Sequence, residues 1–261
     1  MAAAVAGHVR VEPAGTERRD LWWLEPTITV VVLGLFVLYT MWAMVFGSDH
    51  YYAGATLGRD YISPFYSPCI ASTCQTGLPA IPWAFSPAWL IFYVPLAFRG
   101  TCYYYRKAYY RSFLWAPPAC AVPDAPKRYA GETRFPWIIQ NVHRYAFWPA
   151  LVVVGFLWLD AEKAFYFPGH GWGLGLGSLV LLVNAALLSL YSFSCHSFRH
   201  LIGGFLDLLS HHPLRYRLWR WASFLNEHHM LIAWCSLVFV AFSDIYVRLV
   251  SAGVIADPRF F

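Results

Sequence analysis

Five stretches of this chain are apolar for long enough to cross a bilayer: about Leu24 to Phe46, Trp83 to Tyr104, Pro136 to Leu159, Gly173 to Cys195 and Ala222 to Val247. Each is close to the roughly 17 to 25 residues a helix needs to span the hydrocarbon core. A lone segment in lipid satisfies its backbone polar groups only as a helix. The expected fold is therefore an all-α, polytopic membrane bundle of five transmembrane helices within residues 21–261, preceded by a polar, Ala-rich tail over residues 1–20. Composition agrees: 13% of the 261 residues are charged, against about 25% in a soluble domain. The first stretch reads as a span, since its apolar run is too long for a signal peptide and no small-residue cleavage site precedes a polar mature start.

Orientation follows from the nineteen Lys and Arg residues. Arg10, Arg18 and Arg19 precede the first span, eight basic residues lie from Arg99 to Arg144, and Arg199, Arg215, Arg217 and Arg220 precede the fifth. The first and third connections hold one each, Arg59 and Lys163. By the positive-inside rule the N-terminus is cytoplasmic and the C-terminus outside, in the plasma membrane. The net charge of +5 is mostly this asymmetry, so nucleic acid is not an expected partner.

The polar side chains that survive in this apolar setting cluster. No charge occurs from Gly171 to Cys195, and then Cys195, His196, Arg199 and His200 arrive within six residues. Ionisable groups at the edge of hydrocarbon are costly and default to functional candidates. Because successive spans alternate in direction, Cys102, His143, Cys195, His196 and His229 are expected at similar depth near the cytoplasmic leaflet. His143 and His229 are each expected about two turns into a span, and the outer halves of the helices read as nearly free of titratable groups. Cys120, in Pro117-Pro118-Ala119-Cys120-Ala121-Val122-Pro123, is a proline-braced loop cysteine suited to a fixed ligand position.

A lone histidine in a helix bundle is more often a hydrogen-bonded core residue than a ligand, but three with two cysteines at one depth shift the balance toward a cofactor. Haem b would need two imidazoles facing each other across the bundle, a pair that His143 and His229 could provide from different helices. A Rieske-type 2Fe-2S cluster needs two thiolates and two imidazoles, a count met by Cys102, Cys120, His143 and His229, with Cys195 and His196 as alternates. The usual Rieske boxes on loops are absent. Zinc suits the same Cys2His2 set but leaves Arg199 and the tyrosines without a role. A histidine proton relay would have to continue through the dry outer halves. A polar inner end under an apolar bundle suits quinone chemistry, and Tyr104, Arg144, His196, Arg199 and His200 are the candidate quinone contacts.

Elsewhere the readings are structural. Cys69 and Cys74 lie in a proline-rich outer loop, where a small disulfide is favoured over a metal pair or free thiols. His211 and His212 read as surface residues, Cys235 as a small core residue, and Asp244 with Arg248 as an i,i+4 pair.

Taken together, Thr-Cys102-Tyr-Tyr-Tyr-Arg-Lys-Ala-Tyr-Tyr-Arg, Pro-Pro-Ala-Cys120-Ala-Val, Gly-Glu-Thr-Arg-Phe-Pro, Gln-Asn-Val-His143-Arg-Tyr and Ser-Cys195-His196-Ser-Phe-Arg-His200 resemble the membrane subunit of actinobacterial succinate dehydrogenase, respiratory complex II, of the single-anchor kind. The resemblance runs from about Leu21 to the C-terminus. It implies a flavoprotein subunit and an iron-sulfur subunit docked on the cytoplasmic face, with electrons passing from succinate to menaquinone or ubiquinone at this anchor, which has no activity alone. Arg199-His200-Leu201 resembles a box of the haem-bearing anchors, but the haem histidine of that box lies seven residues upstream, where this chain has Phe193. The branch with a membrane-embedded Rieske-type cluster is the nearer resemblance. The aromatic, lipid-facing surface is compatible with a trimer of complexes.

Overall fold

The computed structural model describes residues 18–46, 50–54, 58, 60–69, 88–125, 133–135 and 137–261. Most of the proposed tail, Cys74 and residues 83–87 at the start of the second expected span lie outside them.

Four helical segments are long and apolar enough to cross a membrane: α1 (Leu24–Val45), Trp137–Lys163, α5 (Leu176–Phe193) and α8 (His229–Ser251). A fifth apolar helix, α2 (Ala88–Gly100), is shorter at 13 residues. The architecture is thus a membrane helical bundle in which, among the described residues, four helices are long and apolar enough to span and α2 is too short to count as a fifth.

The spans end where the local chemistry breaks them, and at three places this corrects the expected boundaries. The second does not run to Tyr104: Cys102 is extended (φ −62°, ψ 136°), and a separate short helix α3 (Tyr103–Ala108) follows it. The third begins as a 3-10 turn, Trp137–Val142, and becomes α-helical as α4 (His143–Lys163). The fifth does not start at Ala222. An amphipathic helix α7 (Pro213–Glu227) stops at His228, and α8 starts afresh at His229. Pro213 at the first position of α7 suits a helix start. Both His143 and His229 therefore open their helices, rather than lying two turns inside them.

Between α5 and α7 sits α6 (His196–Gly203), whose N-cap Cys195 is extended like Cys102 (φ −69°, ψ 147°). Helix α7 holds α6 through Arg215, which donates to the Ile202 and Gly204 carbonyls. Arg199 on α6 donates to Ser223 and lies 5.0 Å over the Trp219 ring. Arg199 is thus engaged in packing these two helices together.

Two small antiparallel pairs cap the opposite end: β1 (Tyr52–Ala53) with β2 (Tyr61–Ile62), and β3 (Tyr166–Phe167) with β4 (Gly171–Trp172). The glycines there admit the cap closely, since a Cβ on Gly177 would run into the Tyr61 ring. The C-terminal segment returns to the start of α5, where Asp257 accepts from Gly177 N (2.8 Å), Tyr61 (2.8 Å) and Tyr246 (2.5 Å). Asp244 is fully buried and is held by Arg248 (2.8 Å), Tyr39 and Ser63, while Ser67 donates to Asp160. The Asp244–Arg248 pair is as expected, but this end is not dry: three buried carboxylates sit there, each supplied with donors.

Cys69 is disulfide-bonded. Cys235 is exposed on α8, between buried Ala233 and Ser236, which corrects its reading as a core residue. His211 and His212 are exposed as expected.

Candidate metal centre at one end of the bundle

The core cluster at the other end gathers Phe98, Cys102, Tyr105, Phe147, Tyr191, Cys195, Ala233 and Leu237. Within it two sulfur–imidazole pairs form across the bundle. Cys102 Sγ lies 3.5 Å from His229 Nε2, and Cys195 Sγ lies 2.9 Å from His143 Nε2. Cys102, Cys195 and His229 are 1–2% exposed.

The ring tautomers follow from the second nitrogens. His143 Nδ1 is 2.9 Å from the Phe98 carbonyl oxygen, which only accepts, so Nδ1 carries the hydrogen. Thr101 Oγ1, 3.1 Å away, gives its own hydrogen to the Ala97 carbonyl and accepts from the same Nδ1. Ser194 Oγ donates to the Tyr191 carbonyl (3.0 Å), so at 2.6 Å it accepts from His229 Nδ1. Asn226 in turn holds the Ser194 carbonyl at 2.8 Å. Both imidazoles thus present a bare Nε2 toward sulfur. This is the arrangement in which protein groups fix the far nitrogen and leave the near one free to ligate.

The two halves of the site repeat one local pattern. Phe98, Thr101 and Cys102 stand in the same spacing as Tyr191, Ser194 and Cys195. Phe98 stacks on His143 (centroids 4.8 Å, 6°), and Tyr191 stacks on His229 (5.1 Å, 13°). In each half the hydroxyl residue orients the histidine that follows it in the chain, while the cysteine addresses the histidine of the other half. The motif aromatic-x-x-hydroxyl-Cys was present in the sequence, and would have favoured Cys195.

Cys120 is not brought to this cluster. It is exposed, and its carbonyl accepts from Arg18 at 2.7 Å. The proline bracing fixes a surface turn, and the second sulfur at the imidazoles is Cys195. His196 is exposed and stacks with half-buried Tyr104 (5.9 Å, 9°), which also tilts over His229 at 5.0 Å. Partial burial of the ring and then the Arg199 charge push the His196 imidazole below its usual range. Arg144 and His200 are exposed, the latter beside Phe205.

The donor set is two sulfurs and two neutral nitrogens, which suits zinc or an iron–sulfur group and not a hard oxygen-seeking cation. Among the described residues no three metal-ligating side chains converge on one point; the four stand as two facing pairs. Tyr191 Oη is buried without a hydrogen-bond partner of normal geometry, and Cys102 is the polar group beside it. A buried polar atom so placed fits a site that seats a further group.

A comparison with curated proteins finds no match. Among solved structures, a chain described as "Mycobacterium smegmatis Sdh1 complex in the apo form" matches with a TM-score of 0.86 and 42% identity, covering 100% of both chains. The family model "Actinobacterial succinate dehydrogenase subunit SdhC" matches residues 24–253. This chain therefore belongs to the actinobacterial SdhC family and is a membrane-anchor subunit of succinate dehydrogenase.

Proposed function

We propose that this anchor completes a succinate:quinone oxidoreductase by holding a Rieske-type 2Fe-2S cluster between Cys102, Cys195, His143 and His229, in line with the expected cofactor but with Cys195 in place of Cys120. The single observation that carries this is the pair of imidazoles, His229 buried and His143 half-buried, each with Nδ1 occupied by protein and Nε2 turned to a buried sulfur. When bound, the cluster supplies one-electron transfer between the soluble iron–sulfur subunit and quinone. The chain's own part is to orient the four donors and to keep water from them. Phe98, Phe147 and Tyr191 wall the site, and Thr101 and Ser194 fix the rings.

The quinone head is placed at the open edge, where Tyr104 and exposed His196 stack beside His229. His196 stands there as a proton donor and acceptor for a quinone oxygen. The flavoprotein and iron–sulfur subunits dock at this end, which the basic residues assign to the cytoplasm. The five-span reading goes with that orientation, since α2 must carry the chain back from the outer cap to Cys102.

The test is EPR of the reduced, purified complex. A signal from a reduced 2Fe-2S centre with mixed Cys/His ligation, assignable to this subunit, is expected. A Soret band with no such signal would replace the cluster by haem b, and silence from any centre on this chain would leave only a passive tether.

A further inference from the structure

Arg99 is a half-buried guanidinium at the last turn of α2, and among the described residues it has no carboxylate partner. Neutral groups hold it instead. It donates to Tyr105 Oη (3.0 Å), Ser236 Oγ (2.9 Å) and the Ala233 carbonyl (3.3 Å). Its Cζ lies 4.3 Å from the centroid of Tyr191, the ring that stacks on His229 at 5.1 Å. Together with Tyr105 and Tyr191 it borders an apolar cavity of about 230 Å³, walled mainly by α1, α2 and α4 side chains such as Phe36, Met44, Ile91 and Val153. A cation kept in such surroundings without a counter-charge is costly. Arg248 at the far end, the most deeply buried cation among the described residues, is instead paired with a carboxylate.

The geometry points to Arg99 as a positioning residue whose fixed charge, held against the Tyr191–His229 stack, makes the metal group of this site easier to reduce. The inference rests on the cluster reading above. In that group two thiolates and two sulfides balance two ferric ions, and the imidazoles are neutral. One electron from the docked iron–sulfur subunit leaves a net charge of minus one, with no bond or proton changing hands. Net charge and nearby dipoles set such potentials. A unit charge at about 10 Å, acting through an effective dielectric of about 20, changes an equilibrium constant by roughly an order of magnitude.

The pseudo-repeat sharpens the assignment. Arg99 precedes Cys102 by three residues, and the matching position before Cys195 is Ser192, which only back-bonds to the Leu188 carbonyl. The charge is therefore not required by the repeated local structure.

The experiment is an EPR-monitored redox titration of the purified whole complex. Arg99→Gln is expected to lower the midpoint potential by about 59 mV or more, a tenfold loss in the reduction equilibrium, with signal shape retained. Arg99→Lys keeps the charge and should shift it less. Ser236→Asp sets a carboxylate beside the guanidinium and should lower the potential while leaving Arg99 in place, which covers the case where Arg99→Gln fails to assemble. Midpoints unchanged from wild type in Arg99→Gln and Ser236→Asp, even with reduced yield or thermal stability, would overturn the role and leave Arg99 as a packing residue. Absence of the signal in the wild type would instead overturn the cluster reading itself.

Discussion

The two ends of this bundle bury polar groups in opposite ways. At the capped end, Asp160, Asp244 and Asp257 are each met by hydroxyls, a backbone amide or Arg248, so charge and hydrogen bonding close within the chain. At the other end, two thiols face two imidazoles whose far nitrogens are held by protein, and among the described residues Tyr191 Oη lacks a partner of normal geometry and Arg99 lacks a counter-charge. A saturated network stabilises and ties elements together. An unsaturated one is where the proposed metal group would add the missing partners.

That contrast can be broken most directly at the imidazoles. Replacing His143 or His229 with alanine is expected to abolish quinone reduction by the complex while succinate oxidation by an artificial dye continues. Surviving quinone reduction would put the unsaturated end on the same structural footing as the other. Cys195→Ser should behave as the histidine variants do, assayed the same way, and a Cys195→Ser complex with wild-type quinone activity would return the second sulfur to an open question.

At the saturated end the expected loss is of stability, not of electron transfer. Arg248→Ala leaves the Asp244 carboxylate buried without its cation, and removing one partner of a buried pair costs about 3 to 5 kcal/mol. Thermal unfolding of the purified complex should shift down accordingly, with the EPR signal unaltered in the folded fraction. A changed signal would mean that the two ends are coupled. The smallest effects belong to the cysteines outside both networks: Cys120→Ser and Cys235→Ser, both at exposed positions, should change stability by no more than about 0.5 kcal/mol and leave quinone activity intact.

Several residues of the candidate site stood out before any coordinates. Cys102, His143 and His229 stood out because ionisable groups beside long apolar runs have few structural uses, and Asp244 with Arg248 was readable from helical spacing. Cys120 drew attention through its prolines, yet bracing fixes a loop without saying where the loop lies. The positions of His143 and His229 within their helices were misjudged because hydropathy runs straight through a 3-10 turn and through the break at His228. Both interruptions are backbone events that leave composition unchanged. Thr101 and Ser194 were passed over as ordinary small polar residues, although each stands directly before a cysteine.

Sequence alone determined that the chain is a membrane helical bundle, because apolar length and the cost of an unsatisfied backbone in lipid leave few other solutions. It also determined which residue types had to gather at one end. Only the tertiary structure decided that Cys102 faces His229 and Cys195 faces His143, and that Arg99 lies against Tyr191. Those pairings join segments from separate helices, and they depend on crossing geometry and ring orientation, which no local pattern of residues encodes.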